Sequence, residues 1–164
     1  MTNSLTIRDA VPGDAPQIWR FIRMLAEYER LEHRMVATEA DIARGLFGPS
    51  PRVFADIAEW DGEPIGFSAW FYNFSTFAGL PGIYVEDLFV LPAARGRGAG
   101  RALLARLARR CLDEGVARLD WAVLDWNRPA IEVYARLGAE AHDDWRLRRL
   151  SGQALQALAD SSDR

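Results

Sequence analysis

Apolar and polar residues near the start of the chain follow first a strand pattern and then a helix pattern. Leu5 to Arg8 predicts a short strand, and Asp14 and Pro16 after it are residue types favoured at the start of a helix. From Ile18 to Tyr28 the apolar side chains recur at spacings of three and four residues. This spacing predicts an amphipathic helix with one face packed on a core.

The next segment predicts a capped helix followed by a β-hairpin. Thr38 and Asp41 have the spacing of a helix-capping box, so a short helix is expected through Phe47. Two largely apolar runs, Val53 to Trp60 and Ile65 to Tyr72, then flank the residues DGEP. An Asp-Gly pair between two such runs is typical of a tight hairpin turn.

The second half of the chain alternates predicted strands and helices. Its long helix is expected to end at Gly115, because glycine readily adopts the left-handed conformation that closes many helices. The expected elements are a strand over Ile83 to Leu91, a helix over Gly98 to Glu114, a strand over Ala117 to Leu124, a helix over Pro129 to Leu137 and a last strand over Trp145 to Leu150. Hairpins combined with strand–helix–strand connections predict one α/β domain over residues 1–164, with a mixed sheet and helices on its faces.

Composition narrows the function classes. A chain of 164 residues that is 49% apolar and 26% charged is typical of a single globular domain. A net charge of -3 offers no basic excess for a nucleic-acid backbone, and no apolar run is long enough to cross a bilayer. With one cysteine, Cys111, which is expected in the core, and no secretory leader pattern, a cytoplasmic protein is expected. His33 and His142 lack metal-ligand spacing, so no metal is expected.

The most informative segment is the glycine-rich stretch RGRGAG, residues 95–100, between a predicted strand and a predicted helix. Glycines allow close approach of the backbone to a ligand, and the start of a helix presents unpaired N–H groups and the positive end of its dipole. This combination suits a diphosphate. The stretch fits neither the Walker pattern nor the dinucleotide fingerprint, and the alternative is a flexible turn that needs glycine only for its geometry.

The spacing Arg-x-x-Gly-x-Gly after a strand resembles the acetyl-CoA pyrophosphate loop of the GNAT superfamily of N-acetyltransferases. The stretches YVEDLFVLPAARGRGAGRALL and VLDWNRPAIEVYARLGA resemble two core segments of that family, in the same order. The likeness is closest to the diamine (spermidine/spermine) and thialysine acetyltransferases, and it runs nearly end to end. It implies the GNAT fold, with a mixed, mostly antiparallel central sheet that splays between the strands ending near Val90 and Leu124.

The resemblance implies which residues bind acetyl-CoA. Backbone groups of three consecutive strand residues are expected to hold the pantetheine arm, the glycine-rich loop is expected to hold the diphosphate, and the start of a later helix is expected to contact the rest. The residues so implied are Leu88, Phe89, Val90, Arg95, Gly96, Arg97, Gly98, Ala99, Gly100, Arg101, Asn127, Pro129, Ala130 and Tyr134.

The resemblance also implies a mechanism in which the amine attacks the thioester directly. Tyr134 is expected to be the general acid that protonates the departing thiolate; without the family match it would be interpreted as a partly buried helix aromatic. Adjacent Glu86 and Asp87 should point to opposite faces of a strand, so only one of them is expected to face the amine. The resemblance favours Glu86 as the base, acting directly or through water. The alternative is that both acids are solvated or paired with nearby arginines.

Acceptor recognition by resemblance involves residues after the first helix, Glu86, the later strand and Asp143 before Trp145. The residues implied are Tyr28, Glu29, Glu86, Asp120, Trp121, Ala122 and Asp143, although a one-residue shortening leaves the alignment of Asp143 open. Ser75 stands where the polyamine-acetylating relatives carry an acid, which favours a shorter, lysine-like amine over a long polyamine. A CoA-binding module without turnover and a peptide or protein N-acetyltransferase are the alternatives. Relatives are homodimers, and Trp70, Phe71 and Phe74 are candidate interface residues.

Overall fold

The computed structural model describes residues 4–161, in which five strands and five α-helices follow one another. The strands are β1 (Leu5–Asp9), β2 (Phe54–Trp60), β3 (Glu63–Ser75), β4 (Leu80–Val90) and β5 (Leu119–Trp121). The helices are α1 (Ala15–Tyr28), α2 (Glu39–Phe47), α3 (Ala99–Glu114), α4 (Arg128–Arg136) and α5 (Gly152–Asp160). After Leu124 the chain divides into two compact units, which are described separately below.

The first unit contains a mixed sheet with the strand order β1-β2-β3-β4-β5. The first three strand pairs are antiparallel and the last, β4 with β5, is parallel. The hairpin between β2 and β3 turns at Asp61 and Gly62, which have φ values of 52° and 87°. Two successive positive φ values are what an Asp-Gly turn provides, so the predicted hairpin is confirmed.

Helices cover both faces of this sheet, as expected. One face packs against α1 and α2, where Phe21 stacks on Phe67 with ring centroids 5.8 Å apart. The other face packs against α3 through Ala58, Ala94 and Leu103. The two faces are called the α1 face and the α3 face below. Burial of apolar side chains on both faces supplies the main stabilisation of the unit.

Local signals in the sequence place the helix ends correctly. The side chain of Thr38 accepts a hydrogen bond from the backbone N–H of Asp41, whose carboxylate accepts the Thr38 N–H in return. Gly115 follows α3 with a φ of 67° and its N–H bonds to the carbonyl of Cys111. Cys111 itself is buried in the core.

On the α3 face a chain of paired charges ties α3 to three strands. Asp56 is fully buried, and its two carboxylate oxygens accept hydrogen bonds from the Trp70 indole at 2.9 Å and from Arg106 Nε at 2.7 Å. Arg106 also bonds Asp9 at 2.8 Å, and Arg110 pairs with both Asp9 and Glu114. Burial raises the pKa of Asp56, which the Arg106 and Trp70 contacts oppose. Each acid in this network therefore has a cationic partner.

The sheet corrects one interface expectation. Trp70 is only 3% exposed, because its indole is held inside by Asp56, so it is not an exposed aromatic. Phe71 is half-buried against Tyr84, whereas Phe74 is 60% exposed. Only Phe74 of the three keeps the exposure expected of an interface residue.

The second unit, beginning at Asp125, differs most from the sequence expectation. Helix α4 is confirmed, with Gly138 after it at a φ of 85°. The strand predicted over Trp145 to Leu150 is wrong, since this segment forms no regular secondary structure and its Trp145 and Leu147 side chains are exposed. Helix α5 was not predicted. The strand predicted over Ala117 to Leu124, in the first unit, is confirmed only at Leu119–Trp121.

No helix in residues 4–161 has both the length and the apolar character needed to cross a membrane. Over the same residues, His, Cys, Asp and Glu side chains form no group of three or more that could hold a metal ion. His33 and His142 are both exposed.

Candidate active site

A β-bulge in β4 brings two acids to the same side of the sheet. Ala69 pairs with Asp87 but the next residue, Trp70, pairs with Val85, so Glu86 is an extra residue in β4. Ala69 belongs to the core under α1, which puts Asp87 on the α1 face, and Val85 lies across from Trp70 on the α3 face. Since its neighbour Val85 faces α3, Glu86 also faces α1. The expectation that Glu86 and Asp87 point to opposite faces is therefore wrong, because the bulge shifts the alternation by one residue.

These two acids form a cluster with Glu29 at the end of α1. Burial, followed by the nearby charges of Glu86 and Glu29, raises the pKa of Asp87 to about 7. Burial also raises the pKa of Glu29, which is half-buried. No ion pair in residues 4–161 involves any of the three, so the alternative that Glu86 and Asp87 are paired with arginine is not observed there. We call this set, Glu29, Glu86 and Asp87, the carboxylate cluster.

Strand β4 has an open edge next to the carboxylate cluster. In the described part of the chain, β5 pairs with β4 only from Ile83 to Val85, although β4 continues to Val90. The Leu91 N–H donates to the β3 carbonyl of Ile65, so Phe89, two residues earlier, also turns its backbone toward β3.

By the same alternation, Leu88 and Val90 turn their backbone groups toward the open edge. The Val90 carbonyl there accepts a hydrogen bond from Arg95 Nε at 3.2 Å. Of the three strand residues expected to bind cofactor through their backbone, two therefore face the opening between β4 and β5 and Phe89 does not.

The glycine-rich loop ends directly at the start of α3. Gly96 and Gly98 have φ values of 76° and 87°, which disfavour any residue with a Cβ, and nothing lies within 4 Å of where a Cβ would stand. The first backbone hydrogen bond of α3 is donated by the Ala102 N–H to the Gly98 carbonyl. The N–H groups of Ala99, Gly100 and Arg101 come before it and have no intrahelical acceptor. The loop thus presents unpaired amide donors beside open space.

The arginine side chains of the loop rest on aromatic rings. The Arg95 guanidinium lies 4.8 Å from the centroid of the Tyr28 ring, and that of Arg97 lies 5.2 Å from the Trp60 ring. Tyr28 is the last residue of α1 and precedes Glu29 of the carboxylate cluster. The Arg95 contact therefore joins the glycine-rich loop to the helix end that carries an acid of the cluster.

The remaining expected acceptor residues of the first unit lie on and after β5. Asp120 is level with Tyr84 of β4 and forms an ion pair with Arg118, Nε to Oδ2, at 2.7 Å. Trp121 is half-buried and Ala122 is exposed. The hydroxyl of Ser75 accepts the Ala78 N–H at 3.1 Å, so it closes the turn between β3 and β4.

The expected residues of the second unit lie around α4. Asn127 is the residue before α4, Pro129 and Ala130 are in its first turn, and Tyr134 is half-buried in its last turn. The Tyr134 carbonyl accepts the N–H groups of Leu137 and Ala139. Asp143 is exposed in a turn. The roles expected for these residues stay predictions.

Comparison with known proteins decides the family. Residues 16–139 match the model of the Acetyltransferase (GNAT) family, which spans most of the chain. The chain belongs to the GNAT family of acetyltransferases. The resemblance stated from its motifs is confirmed, as is the fold that the resemblance implied.

Curated GNAT relatives are similar along almost the whole chain. A thialysine N-epsilon-acetyltransferase from Bos taurus is 37% identical over 93% of this chain and 96% of its own length. The L-ornithine N5-acetyltransferase NATA1 from Arabidopsis thaliana is 34% identical over 93% of this chain and 86% of its own length. With relatives of this kind covering nearly its full length, the chain is an N-acetyltransferase.

A solved acetyltransferase structure has the same fold. The aminoglycoside N-acetyltransferase AAC(6')-Iy, determined in complex with CoA, superposes with a TM-score of 0.72 over 93% of this chain and 97% of its own, at 18% identity. At that identity the likeness shows the fold alone. GNAT acetyltransferases use acetyl-CoA, and the unpaired amides at the start of α3 and the open edge of β4 fit a diphosphate and an amide-containing arm.

Asp87 and Arg118 lie near the expected site residues but were not predicted from the sequence. Asp87 was set aside in favour of Glu86, although the adjacent pair of acids was a visible signal. Arg118 lies two residues before Asp120 and pairs with it, but its place beside Tyr84 of β4 became visible only with the pairing of β5 and β4.

Proposed function

We propose that this GNAT enzyme transfers the acetyl group of acetyl-CoA to the primary amine of a small cationic substrate, either a thialysine- or lysine-like amine or a diamine. The observation that carries this proposal is the carboxylate cluster: three acids without a cationic partner in the described residues, beside the open edge of β4. A group of this kind attracts an ammonium ion. The two relatives named above, for thialysine and L-ornithine, support the same acceptor class.

Acetyl-CoA supplies an acetyl group activated as a thioester. The amides of residues 96–101 bind its diphosphate, aided by Arg95, because a helix start offers both donors and a favourable dipole. The backbone of Leu88 and Val90 binds the pantetheine arm and donates a hydrogen bond where negative charge develops on the carbonyl oxygen. Asn127, Pro129 and Ala130 contact the remainder of the cofactor.

The substrate ammonium must lose a proton before its nitrogen can attack. Glu86 is the exposed member of the carboxylate cluster. It accepts this proton, directly or through water, together with Asp87, whose pKa of about 7 suits proton acceptance near neutral pH. Tyr28, Glu29, Asp120, Trp121, Ala122 and Asp143 complete the acceptor site.

Tyr134 acts as the general acid. The neutral nitrogen forms a bond to the carbonyl carbon, the carbon–sulfur bond breaks, and Tyr134 gives its phenol proton to the departing thiolate. The second proton of the attacking nitrogen restores Tyr134, while the first leaves through the carboxylate cluster to solvent. A phenol with a usual pKa near 10 can protonate a thiolate whose acid has a pKa near 8.5 without being ionised beforehand.

We propose further that the chain is a single catalytic domain over residues 1–164, that it is cytoplasmic and forms a homodimer, and that it binds no nucleic acid. Light scattering of the purified protein tests the dimer, and a mass at the monomer value would contradict it.

The proposal is tested by measuring thiol release from acetyl-CoA with lysine, ornithine, putrescine, cadaverine and a lysine-containing peptide. We expect release with at least one small amine and little with the peptide. Preference for the peptide would favour a peptide or protein N-acetyltransferase instead. Absence of release with every small amine would refute the assignment.

Replacing the general acid gives a separate test. Tyr134→Phe keeps the ring but removes the proton, so kcat should fall by about 10²- to 10⁴-fold while the Kd of acetyl-CoA stays nearly unchanged. Calorimetry and steady-state kinetics measure the two quantities. An unchanged kcat would remove Tyr134 from this role.

A further inference from the structure

A fixed ion pair lies on the α1 face, on the other side of Tyr84 from the carboxylate cluster. Asp120 of β5 is level with Tyr84, and its Oδ2 accepts hydrogen bonds from Arg118 Nε at 2.7 Å and from Asn73 Nδ2 at 3.4 Å. The pKa of Tyr84 is raised most by burial and then by the charges of Glu86 and Asp120, so its phenol lies near both acids. Tyr84 thus lies near an unpaired carboxylate, Glu86, and near the neutralised pair.

The backbone below this ion pair leaves no room for a side chain. A Cβ at Gly82 would stand 2.2 Å from Asn73 Oδ1 and 3.2 Å from Arg118 Cγ. Glycine therefore allows the Arg118 stem and the Asn73 amide to lie flat against β4. The charged ends still reach solvent, because the side chains of Arg118 and Asp120 are 46% and 36% exposed. The pair is held in place and accessible.

The carboxylate cluster and the Arg118–Asp120 ion pair are the two ends of one surface, and they suit different chemical groups. At the carboxylate cluster a single ammonium gains attraction from up to three acids. At Asp120 the charge of Arg118 cancels that of the acid, so a second ammonium, as in a simple diamine, gains little there. A zwitterionic head group fits better, because a guanidinium binds a carboxylate with two parallel hydrogen bonds and Asp120 can accept from the adjacent ammonium.

The distance between the two ends matches a short amino acid. Tyr84 and Asp87 pair with Phe71 and Ala69, which are two residues apart on β3, and Asp120 lies one strand beyond Tyr84. At about 3.3 Å per residue and about 4.8 Å between strands, Asp120 and Asp87 are therefore separated by roughly 8 Å in the plane of the sheet. An extended side chain of ornithine or lysine length, with a hydrogen bond at each end, spans such a gap.

We propose that Arg118 and Asp120, fixed by Asn73 and Gly82, form a subsite for the α-carboxylate and α-ammonium of an amino-acid acceptor whose side-chain amine lies at the carboxylate cluster. This inference rests on the proposed function and deepens it. Arg118 is the residue that selects an amino acid over the corresponding diamine.

The test compares acceptors that differ only in the carboxylate. Ornithine and putrescine form one such pair, and lysine and cadaverine form the other, because each diamine is the amino acid without its carboxyl group. We expect kcat/KM for each amino acid to exceed that for its diamine. In Arg118→Gln this ratio should fall by about 10- to 100-fold, mainly through a higher KM for the amino acid, since a charged hydrogen-bonded contact is lost.

Two further variants make the result specific. Arg118→Lys keeps a positive charge and should restore part of the ratio. Arg109→Gln removes an exposed arginine of α3 that has no ion pair with the described residues, and the ratio should stay at its original value. Thermal unfolding of each variant shows whether the fold is intact.

The outcomes separate the subsite from the proposed function. Higher kcat/KM for the diamines in the unaltered enzyme, or an equal loss for both members of a pair in Arg118→Gln, would overturn the subsite while leaving amine acetylation in place. No thiol release with any of the four amines would refute the proposed function and the subsite with it.

Discussion

The acids under α3 and the carboxylate cluster on the opposite face of the sheet differ in whether the fold supplies a cationic partner. On the α3 face, fully buried Asp56 is held by Arg106 and Trp70, and Asp9 nearby is shared by two arginines. On the α1 face, the carboxylate cluster has no cationic partner among the described residues, and the pKa of its most buried member, Asp87, is raised to about 7. An acid whose partner comes from the fold has part of its desolvation cost offset by that partner. One left without a partner costs folding free energy and binds a proton or a cation from outside.

The largest expected effect comes from removing the cationic partner of Asp56 on the α3 face. Arg106→Met leaves Asp56 buried without its cation, so the free energy of unfolding should fall by about 3–5 kcal/mol. Urea denaturation measures it. The matched control is Arg109→Met, an exposed position on the same helix, which should change stability by no more than about 0.5 kcal/mol. Equal losses in the two variants would mean that the ion pair has no special role.

Removing a charge from the α1 face should affect catalysis instead. Asp87→Asn cannot accept the substrate proton, so kcat should fall by about 10²-fold or more, and the rise of kcat/KM with pH around 7 should disappear. Steady-state kinetics across pH measure both. Asp113→Asn, an exposed acid on α3, is the control and should keep the profile. A profile that survives in Asp87→Asn would assign the proton transfer to another group.

The same variant should alter stability in a pH-dependent way. Because the pKa of Asp87 is raised from 3.8 to about 7 by folding, the folded protein keeps a proton that the unfolded chain releases between these values. The contribution of Asp87 to stability is therefore fully present below about pH 4 and lost as the pH rises through about 7.

Asp87→Asn avoids that loss. Its Tm should exceed that of the unaltered protein by roughly 2–6 °C near pH 8, and the difference should vanish near pH 4. Calorimetry at the two pH values measures it. A difference of the same size at both would show that the effect is packing rather than titration.

The smallest expected effect concerns the contact that joins the glycine-rich loop to the α1 face. Tyr28→Leu removes the ring under the Arg95 guanidinium, which lies 4.8 Å from its centroid, so the Kd of acetyl-CoA should rise by about two- to five-fold. Tyr28→Phe keeps the ring and should bind almost normally. Calorimetric titration compares them, and equal affinities in the two variants would remove this link.

Most helices and the hairpin could be predicted from the sequence because their signals are local. Asp61 and Gly62 set the turn between β2 and β3, Thr38 and Asp41 cap α2, and Gly115 ends α3. Each signal depends on residues a few positions apart, so no distant contact is needed to recognise it.

The predictions that failed depended on distant partners. Trp145 to Leu150 has an alternating pattern, but a strand also requires a neighbouring strand, and none pairs with this segment in the described residues. Trp70 was expected to be exposed, yet Asp56, fourteen residues earlier, holds its indole inside. The hydrophobic pattern of a segment indicates which element it can form, whereas its tertiary contacts decide whether that element forms.

By itself the sequence determined the order of the main elements, the glycine-rich loop between β4 and α3, and the family, because all three are carried by contiguous residues. Only the tertiary structure decided which acids act together. The bulge that turns Glu86 and Asp87 to one face exists only in the register of β4 against β3. The position of Arg118 and Asp120 beside Tyr84 exists only where β5 lies beside β4. Charges interact through space, and the distances between residues of different strands are set by the fold rather than by their separation along the chain.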